Sequence, residues 1–143
     1  MTLQPAFPFQ ATVEVAFRDL DVLGHVNNAV YLTYLETARI KFLHQVLDLQ
    51  AVGQLPLILA EATVSYRAPA FFGELLTVGV GVARFGGKSF EMRYRIDGGD
   101  GRLVAEARTV LVAYDYTARA TIAVPEDMKT RVLEFQRGWQ FAA

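Results

Sequence analysis

Residues 28–47 contain neither glycine nor proline, and their apolar members recur at Val30, Tyr31, Tyr34, Leu35, Ala38, Phe42 and Leu43, the three-to-four spacing of a helix. Leu32 and Ile40 widen the stripe until it takes most of the circumference. A helix apolar on nearly every side has to be buried, so the rest of the chain must wrap it. Glu36, Arg39 and Lys41 are expected on the wetter side that remains, with Glu36 paired to Arg39 at i+3. Asn27 or Asn28 is the expected N-cap, since its side-chain oxygen can accept an orphaned backbone N–H.

The remaining chain reads as strands. Residues 10–17 alternate, with Ala11, Val13, Val15 and Phe17 on one side. After an irregular arm with Pro5 and Pro8, this first strand runs straight towards the helix. Beyond a loop through Gly53 and Pro56 lie four more strand-like segments, 57–67, 74–85, 88–97 and 102–114. Gly86-Gly87 and the run Gly98 to Gly101 between them are hairpin chemistry, so the last three should form an antiparallel meander. Phe90, Met92, Tyr94 and Ile96 share a face, with charged Glu91, Arg93 and Arg95 on the other. Gly79 and Gly81, two apart within a strand, invite a close neighbour, and the helix is the candidate. Pro125-Glu126-Asp127 opens a short amphipathic helix that Val132 and Phe135 can dock. The expected class is α+β, one domain over residues 1–143, in which an antiparallel sheet of about five strands wraps one long buried helix.

Composition excludes several function classes. Fourteen Lys and Arg against fifteen Asp and Glu leave a net charge of -1, without the basic footprint of a nucleic-acid binder. The absence of cysteine removes disulfides, thiolate metal sites and a thiol nucleophile. No leader pattern and no run long enough for a membrane span is present, so a soluble cytoplasmic protein is expected. A hydrophobic content of 52 % is high for so small a chain and implies a buried oligomer interface.

The chemistry concentrates where the first strand meets the helix. Asp19, Asp21, His25, Asn27 and Asn28 fall within ten residues just ahead of the helix start. A carboxylate beside the free N–H groups of a first helical turn suits attack on an activated acyl group: the N–H donors and the helix dipole polarise the carbonyl, and the carboxylate attacks it or deprotonates a water. Spacing alone equally allows the two acids merely to organise a turn. Asp19, Asp21 and His25 could also be imagined around a metal, but with two histidines in the chain no metal site is expected.

The string RDLDVLGHVNNAVYLTYLETAR, residues 18–39, resembles the signature of hotdog-fold acyl-CoA thioesterases of the 4-hydroxybenzoyl-CoA thioesterase family. The likeness continues through Tyr66-Arg67-Ala68-Pro69-Ala70 and Gly87-Lys88-Ser89. The resemblance implies a hotdog fold, hydrolysis of acyl-CoA to a carboxylic acid and coenzyme A, and no separate cofactor. It implies Asp21 as the catalytic aspartate and the backbone N–H of Asn28 as donor to the thioester oxygen. His25, an imidazole in the same loop, is the third catalytic candidate, for hydrogen-bonding the thioester region or relaying a proton, and it equally suits fixing the turn. Gly24, Asn27, Tyr31, Glu61, Arg67, Lys88 and Ser89 are the substrate-binding candidates, with Lys88 and Ser89 at the nucleotide-binding surface. Members acting on the aromatic thioester tend to carry Pro after the aspartate where this chain has Val22, so the fatty acyl-CoA branch is the better match. A homodimer assembling into a homotetramer, with the site between subunits, is implied too. A non-catalytic acyl-thioester-binding module, an acyl-carrier-protein thioesterase and a dehydratase on the same fold are the alternatives.

Overall fold

The computed structural model describes residues 6–49 and 55–141; the expected loop through Gly53, and Pro5 of the arm, lie outside them. The first strand, β1 (Phe9–Glu14), is followed by a 3-10 turn (Phe17–Asp19) and the long helix α1 (Val30–Leu47). Then come β2 (Leu57–Tyr66), β3 (Leu75–Phe85), β4 (Ser89–Asp97), β5 (Leu103–Asp115), a two-residue β6 (Ala120–Thr121) and α2 (Glu126–Phe135). Sheet order is β1-β3-β4-β5-β2, antiparallel throughout, with β6 appended to β5. The meander β3-β4-β5 sits at the centre, and α1 carries the chain from β1 at one edge to β2 at the other.

The sheet curls round the helix. Leu35, Ala38, Phe42 and Leu43 of α1 are at most 1 % exposed against Val78 and Val80 of β3, Met92 and Ile96 of β4 and Ala105 and Ala113 of β5. Burying a side chain such as Phe42 contributes about 2–3 kcal/mol, and such burial, rather than helix propensity, holds α1 in place. The alternation expected of β4 is the one observed, Phe90, Met92, Tyr94 and Ile96 buried and the charged residues half-buried. No helix is long and apolar enough to cross a membrane among the described residues.

Three local expectations are corrected. Phe17 does not continue the inner face of β1. The strand ends at Glu14, Asp19 Oδ2 accepts the Ala16 N–H at 2.9 Å, and this side-chain cap turns the chain so that Phe17 is 76 % exposed. Arg39 is not on a wet side; four residues from both Leu35 and Leu43, it shares their core-facing row. It is buried, its Nη1 donating to the Tyr94 hydroxyl at 3.3 Å, while its Nη2 reaches Glu36 at only 3.8 Å and Leu32 takes an exposed position. The neighbours that Gly79 and Gly81 admit are not the helix. A Cβ at Gly79 would stand 2.9 Å from the Phe7 ring, and one at Gly81 2.8 Å from Pro8 and Trp139, all on the outer face of the sheet. On that outer face Arg95 of β4 stands across from Glu106 of β5, and Arg93 directly across from Arg108. Glu91 reconciles them, accepting from both guanidinium groups.

The chain beyond α2 extends the edge of the sheet. The side chain of buried Gln136 accepts from the Val82 N–H at 3.1 Å and donates to the Val82 carbonyl at 2.7 Å. One amide thereby replaces the ladder partner that β1 no longer supplies beyond Phe9.

Candidate active site

The loop from Leu20 to Val26 is closed by an isolated bridge between those two residues. Inside it the Asp21 N–H donates to His25 O at 3.2 Å and the Gly24 N–H to Asp21 O at 3.1 Å. Gly24 has φ +87°, a left-handed value that costs other residues strain, so the tight return of this loop depends on a residue without a Cβ. The loop is fastened outside as well, the Val26 N–H donating to Ala70 O at 2.9 Å and the Asn27 N–H to Asp19 O at 2.9 Å.

Asp21 is half-buried and both its oxygens are engaged by neutral donors. Oδ1 accepts the Leu23 N–H at 2.9 Å, and Oδ2 accepts Asn27 Nδ2 at 3.2 Å. The same Asn27 side chain uses its oxygen on the Ala29 N–H at 2.9 Å. One amide group therefore ties the carboxylate to the first peptide of the helix. Asn27 acts as a cap ahead of the Ala29 position from which α1 begins. The Val30 N–H returns to Asn27 O at 3.0 Å, whereas the Asn28 N–H has no acceptor among the described residues. Asn28 thus presents a free donor at the positive end of an 18-residue helix, on the chain segment that Asn27 holds to Asp21.

The other candidates divide into two groups. Tyr31 lies in the first turn of α1, buried, and burial pushes its phenol above the ordinary range. Arg67 follows β2 at the same end of the sheet as Asp21; it is exposed and pairs with Glu106 at 3.3 Å. His25 places Nδ1 3.3 Å from Val26 O, a contact that braces its own loop. Glu61 is not brought to Asp21. A bulge after Leu59 sets the register so that Glu61, Thr63 and Ser65 take the outer face of the sheet, where Arg108 Nη1 donates to Glu61 at 2.9 Å. Lys88 and Ser89 occupy the β3–β4 hairpin, at the opposite end of the sheet from Asp21. The nine residues of β4 span about 30 Å, so these two cannot meet Asp21 within one chain.

Sequence reasoning passed over Arg102, which donates to both oxygens of Glu74 at 2.8 Å and to Pro69 O at 3.1 Å. It holds the 69–74 loop that carries Ala70 against the Asp21 loop. The turn residues Gly98 to Gly101 drew attention to this region, but an arginine beside them had no periodic pattern to mark it.

A sheet curled about one helix, with a carboxylate at the helix N-terminus, is the hotdog arrangement, and this chain belongs to the thioesterase-like superfamily, whose family profile matches residues 15–132. It is 29 % identical over 126 residues to the long-chain acyl-CoA thioesterase FadM of Escherichia coli K12, covering 86 % of this chain and 96 % of that one. It is 29 % identical over 132 residues to the acyl-CoA thioester hydrolase YbgC of Escherichia coli O6:H1, covering 90 % and 96 %. Among solved structures, a Thermus thermophilus thioesterase complexed with coenzyme A and zinc superposes with a TM-score of 0.84 at 32 % identity, covering 92 % of this chain and 96 % of that one.

Proposed function

We propose that this chain hydrolyses acyl-CoA thioesters, with Asp21 as nucleophile or general base and the Asn28 N–H polarising the thioester carbonyl. The observation that carries the reading is the Asn27 amide, which bonds Asp21 Oδ2 on one side and the Ala29 N–H on the other and leaves the Asn28 N–H unspent. As nucleophile, an Asp21 oxygen bonds to the carbonyl carbon, the C–S bond breaks with release of the coenzyme A thiolate, and water then cleaves the mixed anhydride. As base, Asp21 takes the proton of the attacking water. In either route negative charge gathers on the carbonyl oxygen, where an N–H donor is worth about 3–4 kcal/mol. The substrate names of the two Escherichia coli relatives and the coenzyme A complex of the Thermus protein support the substrate class.

The functional unit in this reading is a homodimer in the cytoplasm, assembling further to a tetramer. One long edge of β2 has no partner strand among the described residues, and Ile58 and Leu59 on that strand are 42 % and 46 % exposed. Two β2 edges paired about a two-fold axis bring the Lys88-Ser89 end of one sheet beside the Asp21 end of the other, so that both can serve one substrate, with Arg67 available for its phosphates. Free-thiol release over a panel of aliphatic acyl-CoAs, 4-hydroxybenzoyl-CoA and an acyl-carrier-protein thioester tests the assignment. Turnover of aliphatic acyl-CoA is expected. Saturable binding without thiol release would make the chain a binding module instead.

A further inference from the structure

We propose that Tyr34 and Tyr66 are positioning residues that set the separation between the Asp21 carboxylate and the Asn28 N–H; the proposal rests on the catalytic roles just assigned to those two groups. Three tyrosines stack edge to face along the first turns of α1. The Tyr66 and Tyr31 rings are 5.2 Å apart at 72°, and the Tyr31 and Tyr34 rings 5.8 Å apart at 75°. The hydroxyls at the two ends of this ladder grip opposite flanks of the site. Tyr34 donates to Asp19 Oδ2 at 2.7 Å, and Tyr66 donates to the Asn28 carbonyl at 2.7 Å.

On the carboxylate side, Asp19 stands two residues before Asp21 and is itself held at three points. The oxygen that accepts the Tyr34 hydroxyl also accepts the Ala16 N–H at 2.9 Å, and the Asp19 carbonyl accepts the Asn27 N–H at 2.9 Å. A phenol–carboxylate bond is charge-assisted and stronger than a neutral one, and Tyr34 is only 3 % exposed, so water competes little for it. Burial and the bond to Asp19 hold the Tyr34 phenol far above its ordinary range, so that it stays a donor at working pH.

On the donor side, the free Asn28 N–H belongs to the peptide whose carbonyl, Asn27 O, is taken by the Val30 N–H. The next peptide is gripped at both ends, its N–H by Asn27 Oδ1 and its carbonyl by Tyr66. Tyr66 is the last residue of β2, so the sheet, through one hydroxyl, fixes the direction in which the helix start points. Of the three rings, Tyr31 and Tyr34 are buried, and Tyr66, half exposed at the strand end, is held by its edge-to-face contact with Tyr31. A displacement of about 1 Å between reacting groups costs on the order of 10²-fold in rate, which is the scale on which these hydroxyls act.

Steady-state thiol release by Tyr34→Phe and Tyr66→Phe tests the proposal. For each, kcat should fall roughly 10- to 100-fold with KM held within about twofold, because binding is left while alignment is lost. Asp19→Ala combined with Tyr34→Phe should be no slower than Asp19→Ala alone, since that substitution already removes the acceptor of the Tyr34 bond. A separate readout follows Tyr66: the carbonyl stretch of a 13C-labelled acyl-CoA bound to Asp21→Asn should shift less when Tyr66→Phe is added. Unchanged kcat in Tyr34→Phe, a rise in KM alone, or an unmoved carbonyl band would overturn the proposal. If Tyr34→Phe does not fold, Asp19→Ala, which removes the acceptor, carries the same test, and unchanged kcat there overturns the proposal. Full hydrolysis by Asp21→Asn would sink the underlying catalytic reading; an inactive Asp21→Asn beside a fully active Tyr34→Phe sinks the ladder alone.

Discussion

Replacing Asn27 separates two jobs that one side chain performs. Asn27→Ala removes the acceptor for the Ala29 N–H and the donor to Asp21 Oδ2 together. Loss of a cap of this kind costs about 1 kcal/mol, which for a chain of this size lowers Tm by roughly 3 °C. The catalytic loss should be larger, because Asp21 is then oriented only through Oδ1 and the Leu23 N–H. Asn27→Asp discriminates: aspartate is as good a cap, but a second carboxylate stands where Nδ2 now lies 3.2 Å from Asp21, so stability falls at pH 7 and recovers at acid pH as the pair takes up a proton. Two unit charges about 4 Å apart repel by about 4 kcal/mol at an effective dielectric of 20, and less at this half-exposed position once solvent screening is counted. Thermal melts and kcat measured on both variants give the expected pattern. Asn27→Ala loses a few degrees and at least tenfold in kcat at any pH, whereas Asn27→Asp loses Tm at pH 7, regains it as pH falls, and loses as much activity or more. If both variants keep the parent kcat, the Asn27 bridge does not orient the reacting carboxylate.

Other perturbations follow from the same geometry. Asn28→Pro deletes the free N–H and should lower kcat by about 10²–10³-fold, while Asn28→Ala, which keeps it, should stay near the parent rate in the thiol assay. Desolvation pushes the Glu91 carboxyl up, but hydrogen bonds from Arg108 and Arg93 outweigh it and hold the group below its ordinary 4.5. A depressed folded value means stability that is present above about 4.5 and drains away as pH falls through the folded value. Glu91→Gln should therefore cost about 1–3 kcal/mol in denaturant titrations at pH 7 and progressively less below pH 4. Gly81→Ala forces a Cβ to within 2.8 Å of Pro8 and Trp139 and should destabilise by about 1–3 kcal/mol by the same titration.

What the sequence disclosed follows the range over which each feature is determined. The long helix and the faces of β4 are local patterns, legible because residues three, four or two apart must share a neighbour. The burial of Arg39 is not local. Its partner Tyr94 lies 55 residues away and is itself bonded to Thr109 at 2.6 Å, so only the folded sheet supplies the hydroxyls that let a guanidinium sit in the core. Gly79 and Gly81 announce a close neighbour correctly, but the helix is the wrong one, because Phe7 and Trp139, far apart along the chain, meet there only in the folded sheet. At the site, the loop around Asp21 was visible as a cluster of types. That Asn27 links Asp21 to the helix was not, since an N-cap preference says nothing of what the other half of the amide holds. The distance of Lys88 and Ser89 from Asp21 is a matter of strand order, which no motif encodes.

The most direct test of the account is single-turnover thiol release from an aliphatic acyl-CoA by the parent and by Asp21→Asn, with coenzyme A binding and Tm measured on both. The account expects the variant to fold and bind as the parent does while its rate of thioester cleavage drops by roughly 10²–10⁴-fold. Cleavage at the parent rate by a folded, ligand-binding Asp21→Asn protein would contradict it.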